Sequence, residues 1–304
     1  VSKKTKQSDD ALIAVLPCIH APITPPKVWE WAMTELQGMA DTGRLTHVVQ
    51  PGDWLDMDAA SSHAENYEHD QNEEYECVAK QSRMIRGIVG SKVRLIRHDG
   101  NHEARLEPGS TNPIPKRLAR LGHWTRDPDL SKEWGKWWWV PYHRSAKGVT
   151  KIGQVCIWHG FDISSNSDEL EAIEIANLMG GHPNLLLVRA HTHRPIEVTQ
   201  CMRTKKVSLP WWYMNAGHLG PSNPPYMRRN STLMWGQAMV AIEAKLTYDL
   251  NSGREWAAEL KRYPGGKQHE EDPLLVQGLH PYQLQDILKA PKPRPRRRPA
   301  RNRR

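Results

Sequence analysis

One repeated juxtaposition constrains this chain more than any other feature: short apolar runs that each close on a knot of polar residues. Residues 11–16, ALIAVL, run into Cys18-Ile19-His20, and residues 45–50, LTHVVQ, into Gly52-Asp53-Trp54-Leu55-Asp56. Residues 92–97, KVRLIR, run into Gly100-Asn101-His102-Glu103. Further on, KIGQVCIW at 151–158 ends at His159-Gly160, and NLLLVR at 184–189 ends at Ala190-His191-Thr192-His193. Runs of this length, rich in aliphatic and β-branched residues, read as buried strands. In open α/β sheets ligands bind beyond the carboxyl ends of the strands. A chance pair of histidines says little. A polar knot at the close of each of several separate strands points to one shared ligand site.

The segments between these strands set the fold class. Residues 27–39 predict a helix beginning beside Pro25 and Pro26, with Trp31, Leu36 and Met39 among its apolar positions. A second helical region follows the acidic segment 65–76 and carries Tyr75, Val78 and Met84. Strand, helix, strand, helix, strand argues for a largely parallel sheet with crossover helices. Residues 108–149 are less regular and read as an insertion. They contain a short helix expected at 114–121 and the run Trp134, Trp137, Trp138, Trp139, read as a plug between core and lid, with stacking on substrate bases as the alternative. A helix is expected at 167–179, and strands at 195–200, 207–214 and 238–248. The strand-rich back half is consistent with a second sheet packed on the first. The expected fold is therefore α/β, with two packed mixed sheets. No internal repeat or glycine-rich phosphate loop is visible.

Composition removes several other classes. With 38% hydrophobic and 25% charged residues in a chain of 304, there is material for a substantial core. The 4 cysteines form no C-x-x-C pair, which rules out a zinc ribbon, a thioredoxin-like site or a disulfide framework. No apolar run approaches the roughly 18 residues of a membrane span, and the stretch before Pro17 is too short for a signal peptide. The expectation is a soluble cytoplasmic protein with no membrane partner (host cytoplasm, were the chain viral), its oligomeric state open.

The net charge of +8 has one source. Nine basic residues and no acid lie between Lys289 and Arg304; removing them from the chain's 42 leaves 33 basic against 34 acidic residues. Four prolines and mutual repulsion keep KAPKPRPRRRPARNRR from burying a core or holding a helix. The expected organisation is a flexible start at 1–10, one domain at 11–288 and a disordered basic tail at 289–304. Such a tail suits nucleic acid, through counterion release, or serves solubility alone.

Asp, Asn and His donors suit Mn²⁺, Fe or Zn²⁺. Two metals about 3.5–4 Å apart, sharing a carboxylate, would activate water and neutralise phosphate oxygens. Taken singly, other readings stay open: Asp56 as a helix cap, His159 as a packed core histidine. His47, His98, His123, His143 and His182 lack the strand-end context and read as structural or surface residues.

Together, C-I-H, GDWLD, GNHE, His159 and AHTH resemble, in order, the D-x-H, G-D-x-x-D, G-N-H-E/D, H and G-H-x-H pattern of the calcineurin-like metallophosphoesterases. The match runs from about residue 11 to residue 196, and GNHEARL and WHG…RAHTHRP look most like phosphoesterases of tailed bacteriophages. The resemblance implies a four-layer sandwich, two packed mixed sheets flanked by helices. It implies that Cys18, His20, Asp53 and His193 hold a first metal, and Asp53, Asn101, His159 and His191 a second. His102 would protonate the leaving oxygen, oriented by a nearby carboxylate, with Asp56 behind the ligands and Arg105 either on a substrate phosphate or at the surface. Two positions depart from the pattern. Ala190 replaces a glycine, a small change. Cys18 replaces the first aspartate, and its thiolate would favour Zn²⁺ or Fe; if it stays protonated, the first metal is weakly held. The implied activity is hydrolysis of a phosphate ester by a pair of divalent transition metals (Mn, Fe or Zn). A nucleic-acid phosphodiesterase or nuclease is the first reading, with a phosphomonoesterase on nucleotides or phosphoproteins, and a catalytically impaired binding or structural protein, as alternatives.

Overall fold

The structure, a computed structural model, describes residues 9–57, 70–107, 123–161, 167–201, 211–222, 224, 234–247 and 253–265. The elements of the first half follow the expected order: β1 (Asp10–Val15), α1 (Pro26–Asp41), β2 (Leu45–Gln50), α2 (Gln71–Val89) and β3 (Arg94–His98). Then come α3 (Pro128–Trp134), β4 (Trp138–Val140), β5 (Thr150–Ile152), β6 (Val155–Trp158), α4 (Ser167–Leu178), β7 (Leu186–Arg189), β8 (Ile196–Gln200), β9 (Trp212–Asn215), β10 (Ala238–Lys245) and β11 (Trp256–Arg262).

These strands form two mixed sheets, in the order β11-β10-β1-β2-β3-β4 and β5-β6-β7-β9-β8. β1 to β4 are parallel, as are β6, β7 and β9; the flanking strands are antiparallel. Alternation along each central strand builds the layers. Leu12, Ala14 and Leu16 turn to α1 and α2, packing with Val28, Leu36, Val78 and Ile85. Ala11, Ile13 and Val15 turn the other way, onto Val155, Ile157, Leu186 and Val188 of the second sheet. The outer face of that sheet presents Cys156, Trp158 and Leu187 to Ala172 and Ile175 of α4. The result is helix, sheet, sheet, helix. Each fully buried Ile, Leu or Val contributes about 1.5–3 kcal/mol, so the central strands carry both interfaces.

Local chemistry explains the boundaries. Pro26 starts α1 at a position where its missing N–H costs nothing. Asp70 caps α2 by accepting from the Asn72 N–H, and α2 stops at Gly90, φ 72°.

Several expectations need correcting. The run 151–158 is a hairpin of two strands, because Gly153 (φ 58°) lets the chain reverse. β10 pairs with β1 and joins the first sheet instead of extending the second. Asp10 is in β1, inside the segment expected to be flexible. The tryptophan run is part of the framework: Trp134 ends α3, Trp137 is buried against the first sheet's helices, and Trp138 and Trp139 lie in β4. Helix and strand here follow from packing that a short tryptophan-rich stretch does not announce. β11 was not anticipated, since Glu259, Lys261 and Arg262 mask its pattern. The expected helix at 114–121, residues 207–210 of the expected strand at 207–214, and the tail at 289–304 lie outside the described residues. No helix among the described residues is long and apolar enough to cross a membrane.

Candidate metal centre

Every polar knot follows a strand of a parallel set: β1, β2 and β3 in one sheet, β6 and β7 in the other. Five side chains reach the site from backbone in the left-handed region: Cys18 (φ 34°), His20 (53°), Asp53 (53°), His191 (69°) and His193 (58°). Non-glycine residues rarely adopt such backbone, at a cost on the order of 1–3 kcal/mol each. Its concentration here means the surrounding framework holds the chain in place.

The framework is identifiable. Glu103 is buried, and its carboxylate accepts backbone N–H bonds from Trp54 (2.7 Å), Leu55 (2.9 Å), Asp53 (3.0 Å) and Gly100 (2.8 Å), tying the loop after β2 to the loop after β3. Burial and the charges of Asp53 and Asp99 push its pKa up to about 7, against the pull of those N–H groups. Gly100 is needed for a close approach: a Cβ there would lie 2.1 Å from Asp53 Oδ1. The His102 N–H donates to that same Oδ1 (3.1 Å), which turns Oδ2 toward His159 Nε2 at 3.2 Å.

Two ligand groups result, and Asp53 belongs to both. Cys18, His20, Asp53 and His193 offer donor atoms all within 4.8 Å of one another; so do Asp53, His159 and His191. His20 Nε2 lies 3.1 Å from His193 Nε2, and His159 Nε2 lies 3.2 Å from His191 Nδ1 and 2.9 Å from Asn101 Oδ1. The ring orientations are set from behind. His20 Nδ1 meets Asp56 Oδ1 at 3.0 Å, and His159 Nδ1 meets the Pro51 carbonyl at 2.8 Å. Each ring thus spends one nitrogen outside and aims the other inward, as metal-binding histidines do. The His191 N–H donates to Cys18 Sγ at 3.3 Å, holding the sulfur in place. Asp56 thus orients the His20 ring through its carboxylate.

The electrostatics show what this donor set lacks. Burial alone would lower the pKa of His20, but hydrogen bonds to Asp56 and Cys18 and the charges of Asp56 and Asp53 raise it to about 10. His159, lowered by burial, is raised well above its usual range by Asp53 and then Cys18. Burial and His159 lower His191 to about 3, while burial, His218 and His20 hold His193 well below its ordinary value. Converging acceptors that demand positive charge at two neighbouring points fit two divalent cations.

His102 stands beside this pair. Its Nδ1 bonds the Asp56 carbonyl, and its Nε2 lies 3.9 Å from Asp53 Oδ2 and 3.3 Å from Arg105 Nη2. The orienting contact is a backbone carbonyl, with the Asp56 carboxylate more distant at 3.8 Å. Burial, only partly offset by Asp53, lowers the His102 pKa to about 4, so the ring is neutral. Arg105 Nη1 donates to the carbonyls of Asp56 and Met57 at 3.0 Å each, bracing the loop that His102 leans on. His47 and His98 are buried in β2 and β3, where His98 Nε2 meets Thr150 Oγ1 at 2.8 Å.

A further knot was missed. Asn215 ends β9, which is parallel to β7. Its Nδ2 donates to Thr192 Oγ1 (2.7 Å) and its Oδ1 accepts from the Gly217 N–H (3.0 Å), shaping the loop that carries His191 and His193. His218 follows, fully buried and stacked on His193 with ring centroids 4.6 Å apart. NAGH after an apolar run is the signal already used for the other strand ends, and would have found it.

A four-layer sandwich with these two ligand groups at its strand ends has the fold and site arrangement of the calcineurin-like metallophosphoesterases. No protein-family model matches the chain, and no curated protein matches it in sequence. Among solved structures it is similar to the nuclease MPE of Pseudomonas putida, with 12% identity over 68% of this chain and 73% of that one, TM-score 0.33. It is also similar to GAP50, the anchor in the inner membrane complex of Plasmodium, with 10% identity over 85% of this chain and 86% of that one, TM-score 0.38. Likenesses this distant say nothing of what this chain acts on.

Proposed function

We propose that this chain is a metal-dependent phosphoesterase that hydrolyses phosphodiesters, with nucleic acid as its substrate class. The observation that carries the reading is the pair of ligand groups joined by Asp53. Cys18, His20, Asp53 and His193 would hold the first metal; Asp53, Asn101, His159 and His191 would hold the second. Bound there, two divalent ions supply an activated water and neutralise phosphate oxygens. Asp53, pinned at Oδ1 by the His102 N–H, would be the residue shared between the two metals. His102, neutral with its Nδ1–H held by the Asp56 carbonyl, takes up a proton from solvent at Nε2 and delivers it to the leaving oxygen. Arg105 and Asp56 position that ring. The basic run 289–304, with nine cationic side chains and no acid, supports a polyanionic substrate.

Cys18 decides the metal. A thiolate is softer than a carboxylate and selects Zn²⁺ or Fe over Mg²⁺. The same residue favours a second reading, in which the first metal is held weakly and the protein binds nucleic acid without cutting it. Metal analysis of protein purified without chelator separates the two. Close to two metals per chain, falling in Cys18→Ser, together with hydrolysis of a small chromogenic phosphodiester, is the expected result. One metal per chain and no hydrolysis, with activity gained in Cys18→Asp, would establish the impaired protein. No bound metal and no hydrolysis would remove the phosphoesterase reading. Deleting 289–304 is expected to weaken DNA binding and flatten its salt dependence.

A further inference from the structure

Beside β3 and β4 lies a cavity of about 570 Å³, walled by Trp124, Trp134, Trp137 and Trp139 with Arg97, Leu106 and Glu107. Its volume is that of a small-ligand pocket. Arg97 is buried (1% exposed), and its guanidinium carbon lies 3.9 Å from the ring centroid of Trp134 and 4.7 Å from that of Trp124. Asp99 is the one acceptor the guanidinium meets among the described residues, through Nη1 at 2.7 Å, and the other oxygen of Asp99 accepts from Trp139 Nε1 at 2.7 Å. Arg97, Asp99 and Trp139 therefore form a fixed wall. Trp139 is 48% exposed, an indole held rigid by its N–H yet open on a face.

Three demands define the occupant. Rigid indole faces call for a planar π-system. A buried guanidinium whose Nε–H meets no acceptor among the described residues calls for a neutral acceptor on that plane's edge, since Asp99 already balances its charge. The third demand is position: Asp99 is two residues from Asn101, at most about 7 Å of backbone. The occupant is taken as part of the molecule whose phosphate lies at the metal centre. A nucleobase meets all three. Its face stacks, its ring carbonyls accept, and its sugar-phosphate leads to the site. We propose that this cavity is a base-binding subsite for a single-stranded segment of the substrate, with Trp139 as its stacking platform. The proposal rests on the nucleic-acid phosphodiesterase reading and names the form of nucleic acid that site takes: unpaired, because a base in a duplex stack presents no free face.

The test is equilibrium binding to the full-length, metal-loaded protein. The probe is a labelled hexathymidylate with phosphorothioate linkages, set against the same oligomer lacking the base at each position in turn. Stacking on an aromatic side chain is worth about 1–3 kcal/mol per base, so removing the base at one position is expected to cost wild type about tenfold in affinity. Trp139→Ala is expected to bind the intact oligomer about tenfold more weakly and to bind intact and base-lacking oligomers alike. Trp139→Phe keeps a stacking face and gives up only the N–H bond to Asp99; it is expected to stay within about threefold of wild type. Trp138→Ala, on the opposite face of β4, is expected to bind as wild type does. The subsite is overturned if wild type binds every base-lacking oligomer as tightly as the intact one, or binds none. It is overturned equally if Trp139→Ala weakens intact and base-lacking oligomers by the same factor. A small chromogenic phosphodiester reports on the reaction separately: base-dependent binding without its hydrolysis would leave the subsite standing and remove the phosphodiesterase.

Discussion

Changing Glu103 to Gln exchanges one carboxylate oxygen for an NH₂ group at a place where four backbone N–H groups converge. Trp54 and Leu55 donate to Oε1, Asp53 and Gly100 to Oε2. Glutamine satisfies the pair on its remaining oxygen and sets its own donors against the other pair. A hydrogen bond to a charged group is worth about 1.5–3 kcal/mol, and a stranded buried N–H costs about 1–3. Two such losses would reach about 5 kcal/mol, but the raised pKa of Glu103 trims the charge contribution, so about 3 kcal/mol is the working figure. That is a large part of the roughly 5–15 kcal/mol by which domains are stable. Because the Asp53 N–H is one of the four, and Asp53 sits at φ 53°, the loss falls on the residue shared by both ligand groups. Urea unfolding followed by tryptophan fluorescence, with metal content measured on the same preparation, tests this. The expected outcome is a lower midpoint and a fall in bound metal. A Glu103→Gln protein within about 0.5 kcal/mol of wild type, with full metal content, would refute the reasoning.

Four other outcomes follow from the same structure. Gly100→Ala would place a Cβ 2.1 Å from Asp53 Oδ1, so bound metal is expected to be lost in equilibrium dialysis. Gly38→Ala, in α1 with nothing within 4 Å, is expected to be neutral or to stabilise by about 0.5–1 kcal/mol. Burial and the nearby charge of Arg94 lower the pKa of His47 from 6.5 to about 4. The unfolded chain therefore binds the proton first, and this contribution to stability, present above pH 6.5, is lost as pH falls toward 4. His47→Gln is expected to flatten the acid limb of a melting-temperature profile over that window; an unchanged limb would remove His47 as a cause. His102→Ala is expected to keep both metals while turnover on a small phosphodiester drops about 10²–10⁴-fold, and loss of metal in that variant would show that His102 has a different job.

Much of the site was legible in the sequence because strand ends are local. An apolar run followed by a turn with Asp, Asn or His needs no tertiary information, and the parallel order of β1 to β3 follows from the intervening helices. Cys18, His20, Asp53, Asn101, His159, His191 and His193 converge as that rule implies. What the sequence left open were contacts between segments far apart in the chain. That the Asp56 carboxylate meets His20, 36 residues away, depended on where the loop after β1 came to rest. Glu103 read as one letter of a motif, while its work is to gather N–H groups from a loop about 50 residues earlier. Trp134 and Trp137 could have sealed a lid; instead they meet Trp54 across the first sheet's helical face, with centroids 6.1 and 4.9 Å away. β11 carries charges on its exposed positions, so its place at the sheet edge was decided by pairing with β10 and not by its own pattern. Periodicity and turn chemistry act between neighbours in sequence and can be read there. Ion pairs, ring stacks and sheet edges depend on which surfaces the folded chain brings together, and only the tertiary structure decides them.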